Sequence, residues 1–179
     1  MPTFYSPSGN AEIWDEQPEG HVSAEEWERA RAAEEAAAEA ARLAEYNRPE
    51  NAAARKIAAI DAETSAAIIA GFDYNVKGET YHFSYDTFDQ QNFTDTASVA
   101  LLAQMGGQGL PESVIWNAYR KTSGNELVRL PFTAESFLTL YTAGAVAHKA
   151  ACMAKGGTRK AAVAEALERG ATAEEIESI

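Results

Sequence analysis

Cys152 follows His148 by four residues, a spacing that places both side chains on one face of a helix. A histidine beside a cysteine could serve as the base of a thiolate nucleophile. Catalytic pairs usually come from separate elements, however, and the neighbours Ala147, Ala150 and Ala151 indicate a small-residue packing site. We therefore expect Cys152 to act as a small buried hydrophobe. A small enzyme using His148 and Cys152 is the weaker alternative.

The other polar side chains form no pattern typical of a metal or cofactor site. The three histidines lie far apart, without the short spacings of metal ligands. Asp86, Asp89 and Asp95 fit no calcium-binding loop. The glycine-rich stretch 106–111 has no lysine and follows no strand, so it does not resemble a phosphate-binding loop. The sequence predicts no catalytic residue, no cofactor and no metal.

Composition and charge restrict the class of protein further. The chain has 179 residues, 46% of them hydrophobic, which is enough for one domain with an appendage. A net charge of -12 argues against nucleic-acid binding, which needs a basic surface. No apolar run is long enough to span a bilayer and no signal peptide is recognisable, so we expect no membrane partner. The single cysteine excludes an internal disulfide and favours folding in a reducing cytoplasm.

The elements are organised around residues 55–93, where the pattern predicts an amphipathic helix and a β-hairpin. Apolar positions recur on one helix face at steps of three and four residues, namely Ile57, Ile60, Thr64 and Ile68. Gly71 ends this helix, because only glycine enters the left-handed region without steric cost. Aromatic residues then alternate on both sides of Lys77-Gly78, which predicts a tight hairpin turn.

A second helix is predicted from Thr87 to Met105. Thr87 and Gln90 have the spacing of a capping box, and the glycine-rich stretch 106–111 stops the helix. One face of this helix carries Phe88, Asn92, Thr96, Val99 and Ala103.

A second hairpin and a third helix complete the predicted module. Residues 113–119 and 127–132 alternate as strands around a turn. Thr133 then caps a helix that runs to about Ala154, and Gly156-Gly157 end it. The order is α-ββ-α-ββ-α, and the fold class is α+β, with one antiparallel sheet of up to four strands packed by helices.

Residues 156–179 are predicted to form a loosely docked helical tail. A short alanine-rich helix covers 158–169, and Thr172 with Glu175 caps a last turn. Few large apolar residues lie there. The predicted domain boundaries therefore place the α+β module at 51–155 and the tail at 156–179, and we expect 53–155 to fold independently.

The first 50 residues form an appendage. Residues 1–22 are predicted to be either a frayed arm or a small hairpin built from Phe4-Tyr5 and Ile13-Trp14. Residues 23–50 hold a long Ala/Glu-rich helix and a linker; Ser23 and Glu26 form its capping box. Its apolar seam is mostly alanine, so the helix is either a solvated spacer or a close-packed coiled coil. The spacer is favoured because large residues are missing from the seam.

Several segments resemble a domain of phage and prophage tail proteins that is encoded near tail-fibre genes. They are Lys56-Ile-Ala-Ala-Ile-Asp-Ala-Glu-Thr64, Ala70-Gly-Phe-Asp-Tyr74, His82-Phe-Ser-Tyr-Asp86, Asp89-Gln-Gln-Asn-Phe93, Val114-Ile-Trp-Asn117 and Ala147-His-Lys-Ala-Ala-Cys152. The resemblance covers roughly 53–166 and carries no catalytic residues. It implies a non-enzymatic tail-associated role through protein–protein contacts, as a tail-fibre assembly or accessory factor. The alternative is a structural subunit of the tail or fibre.

The resemblance also implies partners and location. Its partners would be tail or tail-fibre proteins. The protein would be located in the bacterial host cytoplasm during assembly, or in the virion tail. We expect contact, or self-association into a homo-oligomer, through the sheet side of the module, where aromatic side chains are frequent. The candidate partner-binding residues are Tyr74, Tyr81, Tyr85, Gln90, Gln91, Asn92, Trp116 and Tyr119.

Overall fold

The computed structural model describes residues 1–107 and 113–179 and combines helices with two antiparallel sheets. This confirms the α+β class. The predicted stop at 106–111 lies partly outside the described residues. Within them, the helix ends at Gln104 and Gly106 adopts a φ of 82°.

A three-stranded sheet forms the N-terminus. Its strands are β1 (Thr3–Tyr5), β2 (Ala11–Ile13) and β3 (Val22–Ser23), in the order β2-β1-β3. The hairpin alternative is thus confirmed, and a third strand joins it. The ring of Tyr5 stacks on Trp27 with centroids 5.0 Å apart, which supplies the apolar contact that two short strands lack.

Helix α1 (Ala24–Tyr46) follows the sheet directly. Ser23 and Glu26 form the predicted capping box, in which each side chain bonds the other residue's backbone N–H. None of the 23 residues of α1 is buried. The cap, the helix propensity of alanine and surface ion pairs such as Arg29–Glu25 therefore stabilise this helix, with little contribution from packing.

The C-terminal module contains the remaining elements. Its helices are α2 (Pro49–Ile69), α3 (Thr87–Gln104), α4 (Ala134–Thr139), α5 (Ala147–Glu168) and α6 (Ala173–Glu177), and a π-helical segment, Leu140–Val146, joins α4 to α5. Its strands are β4 (Phe72–Val76), β5 (Glu79–Phe83), β6 (Ser113–Arg120) and β7 (Glu126–Thr133), paired antiparallel in the order β4-β5-β6-β7. The four-stranded sheet is as predicted. Lys77 and Gly78 make its first turn with φ values of 55° and 91°.

An aromatic core lies between this sheet and helices α3 and α4. Phe83, Phe93 and Phe137 have no exposed surface, and the Phe93 and Trp116 rings are 4.3 Å apart. The predicted face of α3 is wrong, because Phe88 is 74% exposed. A second periodic stripe, Phe93, Ala97 and Ala100, is buried instead. Its small residues let α3 approach the sheet closely while one large ring fills the centre.

The start of α3 also differs from the prediction. Asp86, not Thr87, is the N-cap, and its carboxylate accepts a hydrogen bond from the Asp89 backbone N–H at 2.8 Å. An aspartate is as good a cap as a threonine and adds favourable charge at the helix N-terminus.

Gly156 and Gly157 do not end the long helix, so that prediction is wrong. The chain is helical without a break from 134 to 168. Gly156 is buried where α5 crosses α2, and a Cβ there would lie 2.4 Å from the Thr64 hydroxyl oxygen. Glycine is used here for close helix packing, and the predicted domain boundary between 155 and 156 falls inside α5.

A second core fixes the C-terminal residues, which corrects the expectation of a loosely docked tail. Its fully buried members are Ala52, Ile60, Val163, Ala166 and Ile176. Ion pairs surround it: Arg55 with Glu177, Arg159 with Glu63, and Lys160 with Asp61. In the described ranges 1–107 and 113–179, no helix has the length and apolarity needed to cross a bilayer.

Candidate functional site

A cleft of about 490 Å³ separates the start of α3 from strand β6. Strand alternation sends Ile115, Asn117 and Tyr119 to the face of β6 away from the aromatic core, whereas α3 packs against the core face. The cleft lies at the edge between the two elements, and Phe88 and Asn92 line it from the α3 side. The cleft thus brings together three of the predicted partner-binding residues, Asn92, Trp116 and Tyr119.

Large apolar side chains are exposed around this cleft. Phe88 is 74%, Leu127 55% and Ile115 50% exposed. Tyr119 and Leu127 are directly opposed in the β6–β7 pair, so their side chains are neighbours on this face of the sheet. We call Phe88, Ile115, Tyr119 and Leu127 the α3–β6 surface. Polar residues such as Asn117 and Arg129 lie between these side chains. Exposed apolar side chains with polar neighbours make this surface the candidate protein-contact site.

Four of the predicted aromatic candidates belong to the core. Tyr81 and Tyr85 are 5% and 4% exposed, so they cannot form a contact surface, and the prediction is corrected for them. Tyr74 and Trp116 are partly buried and pack against the same core. Burial raises the pKa of the Tyr85 phenol. The alternation of aromatic residues in the sequence did not reveal which side of each strand would face the helices.

The three polar candidates at the start of α3 have separate roles. The Gln90 amide donates to the Tyr85 carbonyl at 3.2 Å, and its oxygen accepts from the Lys149 ammonium at 2.9 Å. Gln90 therefore satisfies a backbone group of the first hairpin's exit. Gln91 donates to Asp95 on the exposed side of α3. Of the three, Asn92 lines the cleft.

Sequence reasoning missed Phe88 and Ile115 as surface residues. For Ile115 a signal was present, because alternation already placed it opposite Trp116. Phe88 is exposed because α3 is rotated about its axis so that Phe93 is buried, and no local signal in the sequence sets this rotation.

A larger cavity of about 630 Å³ lies on another side of the module. It is bounded by the start of β4, by His82 on β5 and by the π-helical segment with α5. At its rim, Asp73 contacts the His82 ring Nδ1 at 3.0 Å and the Lys121 Nζ at 2.5 Å. The hydrogen bond from Lys121 holds the pKa of the Asp73 carboxyl below its usual range. The His82 ring and the Lys121 ammonium are thus fixed beside one carboxylate.

His148 and Cys152 are neighbours, as the spacing predicts, with the Cys152 Sγ 3.8 Å from the His148 Nδ1. The opposite ring nitrogen, Nε2, lies 3.1 Å from the Ile68 carbonyl oxygen at the end of α2. Donation from Nε2 to this carbonyl leaves Nδ1 as an acceptor for the thiol. The contact ties α5 to α2, and Cys152 is half-buried.

The described residues contain no group of three or more histidine, cysteine, aspartate or glutamate side chains placed to hold a metal ion. Fold and surface together define an α+β protein with two separate cores, a cleft with exposed apolar side chains beside it and an N-terminal helix with no buried residue.

The chain belongs to the family described as a domain of unknown function, DUF4376, whose model matches residues 51–179. The match begins within α2 and includes α6, so it covers both cores of the module. No curated protein and no solved structure is significantly similar to the chain.

Proposed function

We propose that the protein is a non-enzymatic adaptor of phage or prophage tails that acts through protein–protein contacts, as a tail-fibre assembly or accessory factor. The observation that carries the adaptor role is α1, which joins two separately packed units and buries none of its own 23 residues. The tail setting rests on the sequence resemblance described above.

Helix α1 acts as a spacer in this proposal. At about 1.5 Å per residue it is roughly 35 Å long. A helix kept for packing would carry a broad apolar stripe, whereas the large apolar residues Leu43 and Tyr46 at its C-terminal end are about half exposed. The helix thus holds the N-terminal sheet away from the module, so that each can contact a different protein.

The α3–β6 surface is the proposed contact with a tail or tail-fibre protein. Aromatic side chains that enter a partner's pocket commonly dominate binding energy, and Phe88 is the most exposed ring there. The alternative is a structural subunit of the finished tail or fibre. Such a subunit would use the same surface, but unlike an assembly factor it would remain in the particle.

Phe88→Ala is expected to weaken binding to tail-fibre proteins at least about tenfold, because a central aromatic anchor contributes about 1.4 kcal/mol or more. Pull-down of the fibre proteins and the yield of assembled fibres measure the effect. Leu101→Ala is the matched control, because Leu101 is 52% exposed on the same helix but does not line the cleft. Both variants should melt like the unaltered protein, since neither side chain is buried.

Equal binding by the Phe88 and Leu101 variants would reject the α3–β6 surface. Failure of the unaltered protein to bind any fibre or tail protein would reject the proposed setting. Protein found in purified particles would identify a structural subunit. Absence from particles, combined with misassembled fibres after gene deletion, would identify an assembly factor.

Removal of residues 1–47 is expected to leave the oligomeric state unchanged, because α1 has no wide apolar seam and self-association is assigned to the sheet side. Sedimentation of the full chain and of 48–179 makes the comparison. Conversion of an oligomer to a monomer would show that α1 is the oligomerisation element.

A further inference from the structure

We propose that the cavity beside Asp73 binds the carboxylate group of a small aliphatic ligand. The proposal uses none of the residues of the α3–β6 surface and does not depend on a role in phage tails.

The polar side of this cavity is organised by one carboxylate. Asp73 uses Oδ1 for the His82 ring and Oδ2 for the Lys121 ammonium. Lys121 has three N–H donors, of which Asp73 takes one, and His82 keeps its Nε2. In the described parts of the chain, neither group has a further hydrogen-bond partner. The His82 and Lys121 side chains are 32% and 48% exposed, so both can be reached from solvent.

The opposite side is built from small residues. Ala143 and Ala147 come from the π-helical segment and α5, and Ala70 comes from the end of α2. Gly144 is required, since a Cβ there would lie 2.6 Å from the Phe72 ring. These residues leave space without offering a side-chain hydrogen bond, which suits a short aliphatic body. Widened π-type turns of this kind occur frequently at functional sites.

The free hydrogen-bond donors favour an anion. Lys121 keeps two N–H donors that no side chain in the described residues accepts, so the unused hydrogen-bonding capacity lies on the cation. An amine would find only Asp73, whose two oxygens are already engaged. His148, on the apolar side, is held by the Ile68 carbonyl. A carboxylate placed beside Lys121 would accept from its free N–H groups, with the His82 ring next to it, and such charge-assisted hydrogen bonds are stronger than neutral ones.

Gly71 sets the position of His82. It has a φ of 84°, and a Cβ at this residue would lie 2.9 Å from the His82 Nε2. The same Cβ would lie 2.3 Å from the Phe83 carbonyl oxygen, so a side chain here would clash with the β5 backbone as well as with the imidazole. The geometry of the ring thus depends on the same glycine that ends α2.

The carboxylate and its short aliphatic body could belong to a free short-chain acid or to the C-terminal residue of a polypeptide. Titration of the full chain with butyrate, followed by NMR of the histidine side chains, tests the first source. Titration with N-acetyl-alanyl-valine tests the second. Butyramide and the amidated dipeptide are the matched neutral probes. We expect saturable shifts of the His82 signals by at least one acid, at about millimolar concentration or below, and none by the amides.

Two variants separate binding from an indirect effect. Lys121→Met removes the ammonium and should weaken binding at least tenfold, whereas Lys155→Met, outside this cavity, should not. Ala147→Leu fills the apolar side and should block binding while the Asp73–His82 contact remains. Ala147 is exposed, so folding should be preserved.

Binding of the dipeptide acid alone would identify a chain terminus as the ligand, and binding of butyrate would show that the carboxylate suffices. Equal binding of acids and amides, or unchanged binding by both cavity variants, would overturn the proposal.

Discussion

Removal of residues 156–179 is expected to abolish the cooperative unfolding of the C-terminal module. The deletion takes Val163, Ala166 and Ile176 from the second core and leaves the apolar face of α2 around Ile60 in water. Each fully buried Val or Ile side chain contributes about 1.5–3 kcal/mol, and a domain of this size has a total stability of only about 5–15 kcal/mol. Calorimetry of fragments 48–155 and 48–179 makes the test.

The longer fragment is the matched control, and it should melt in one sharp transition because it contains both cores intact. A milder variant, Ile176→Ala, should cost about 2–5 kcal/mol in the full chain, since it leaves a cavity in the second core. If fragment 48–155 melted as sharply as 48–179, the module boundary predicted from the sequence would be right and the second core would be dispensable.

Gly156→Ala is expected to lower the free energy of unfolding by about 1–2 kcal/mol, although alanine is the better helix former. The added methyl group would lie 2.4 Å from the Thr64 hydroxyl oxygen, so the Thr64 side chain or the two helices must shift. Overpacking of this kind costs about 1–3 kcal/mol, which outweighs a gain in helix propensity of at most about 1 kcal/mol. Chemical denaturation of the full chain measures the difference.

Gly157→Ala is the control, since no atom lies within 4 Å of its added Cβ. It should raise stability by up to about 1 kcal/mol through helix propensity alone. The double variant Gly156→Ala with Thr64→Ala should recover most of the loss, because it removes the clashing hydroxyl. A Gly156 variant as stable as the Gly157 variant would show that α2 and α5 are not in close contact there.

Local signals in the sequence were sufficient for much of the fold. Ser23 with Glu26, and Thr172 with Glu175, form capping boxes at the helix starts where they were expected. The Lys77-Gly78 turn and the alternation in β6 likewise depend on neighbours in the chain. Such features are set by hydrogen bonds and steric limits within a few residues.

Long-range packing decided the features that were predicted wrongly. A glycine pair has the same local signature whether it ends a helix or lets another helix approach, and only the position of Thr64 distinguishes the two cases for Gly156. The two apolar stripes of α3 were likewise equivalent in the sequence until the sheet selected Phe93 over Phe88.

The candidate sites show the same limit. Asp73 and Lys121 are 48 residues apart in the chain and meet because β6 pairs with β5, which brings the β6–β7 turn to the first hairpin. Neither residue carries a motif. Tyr119 of the α3–β6 surface could be anticipated, and so could Asn92 in the neighbouring cleft, but Phe88, the most exposed ring of the surface, could not.

Because α1 buries none of its residues, its length sets both the distance and the relative rotation of the two units that it joins. Each residue added to α1 would advance the N-terminal sheet by about 1.5 Å and turn it by about 100° around the helix axis. Four added residues would leave the sheet rotated by about 40° about the helix axis. Seven would return its orientation to within about 20° of the original and lengthen the helix by about 10 Å. Changes in the length of α1 that keep both ends facing their partners should therefore occur in steps of seven residues.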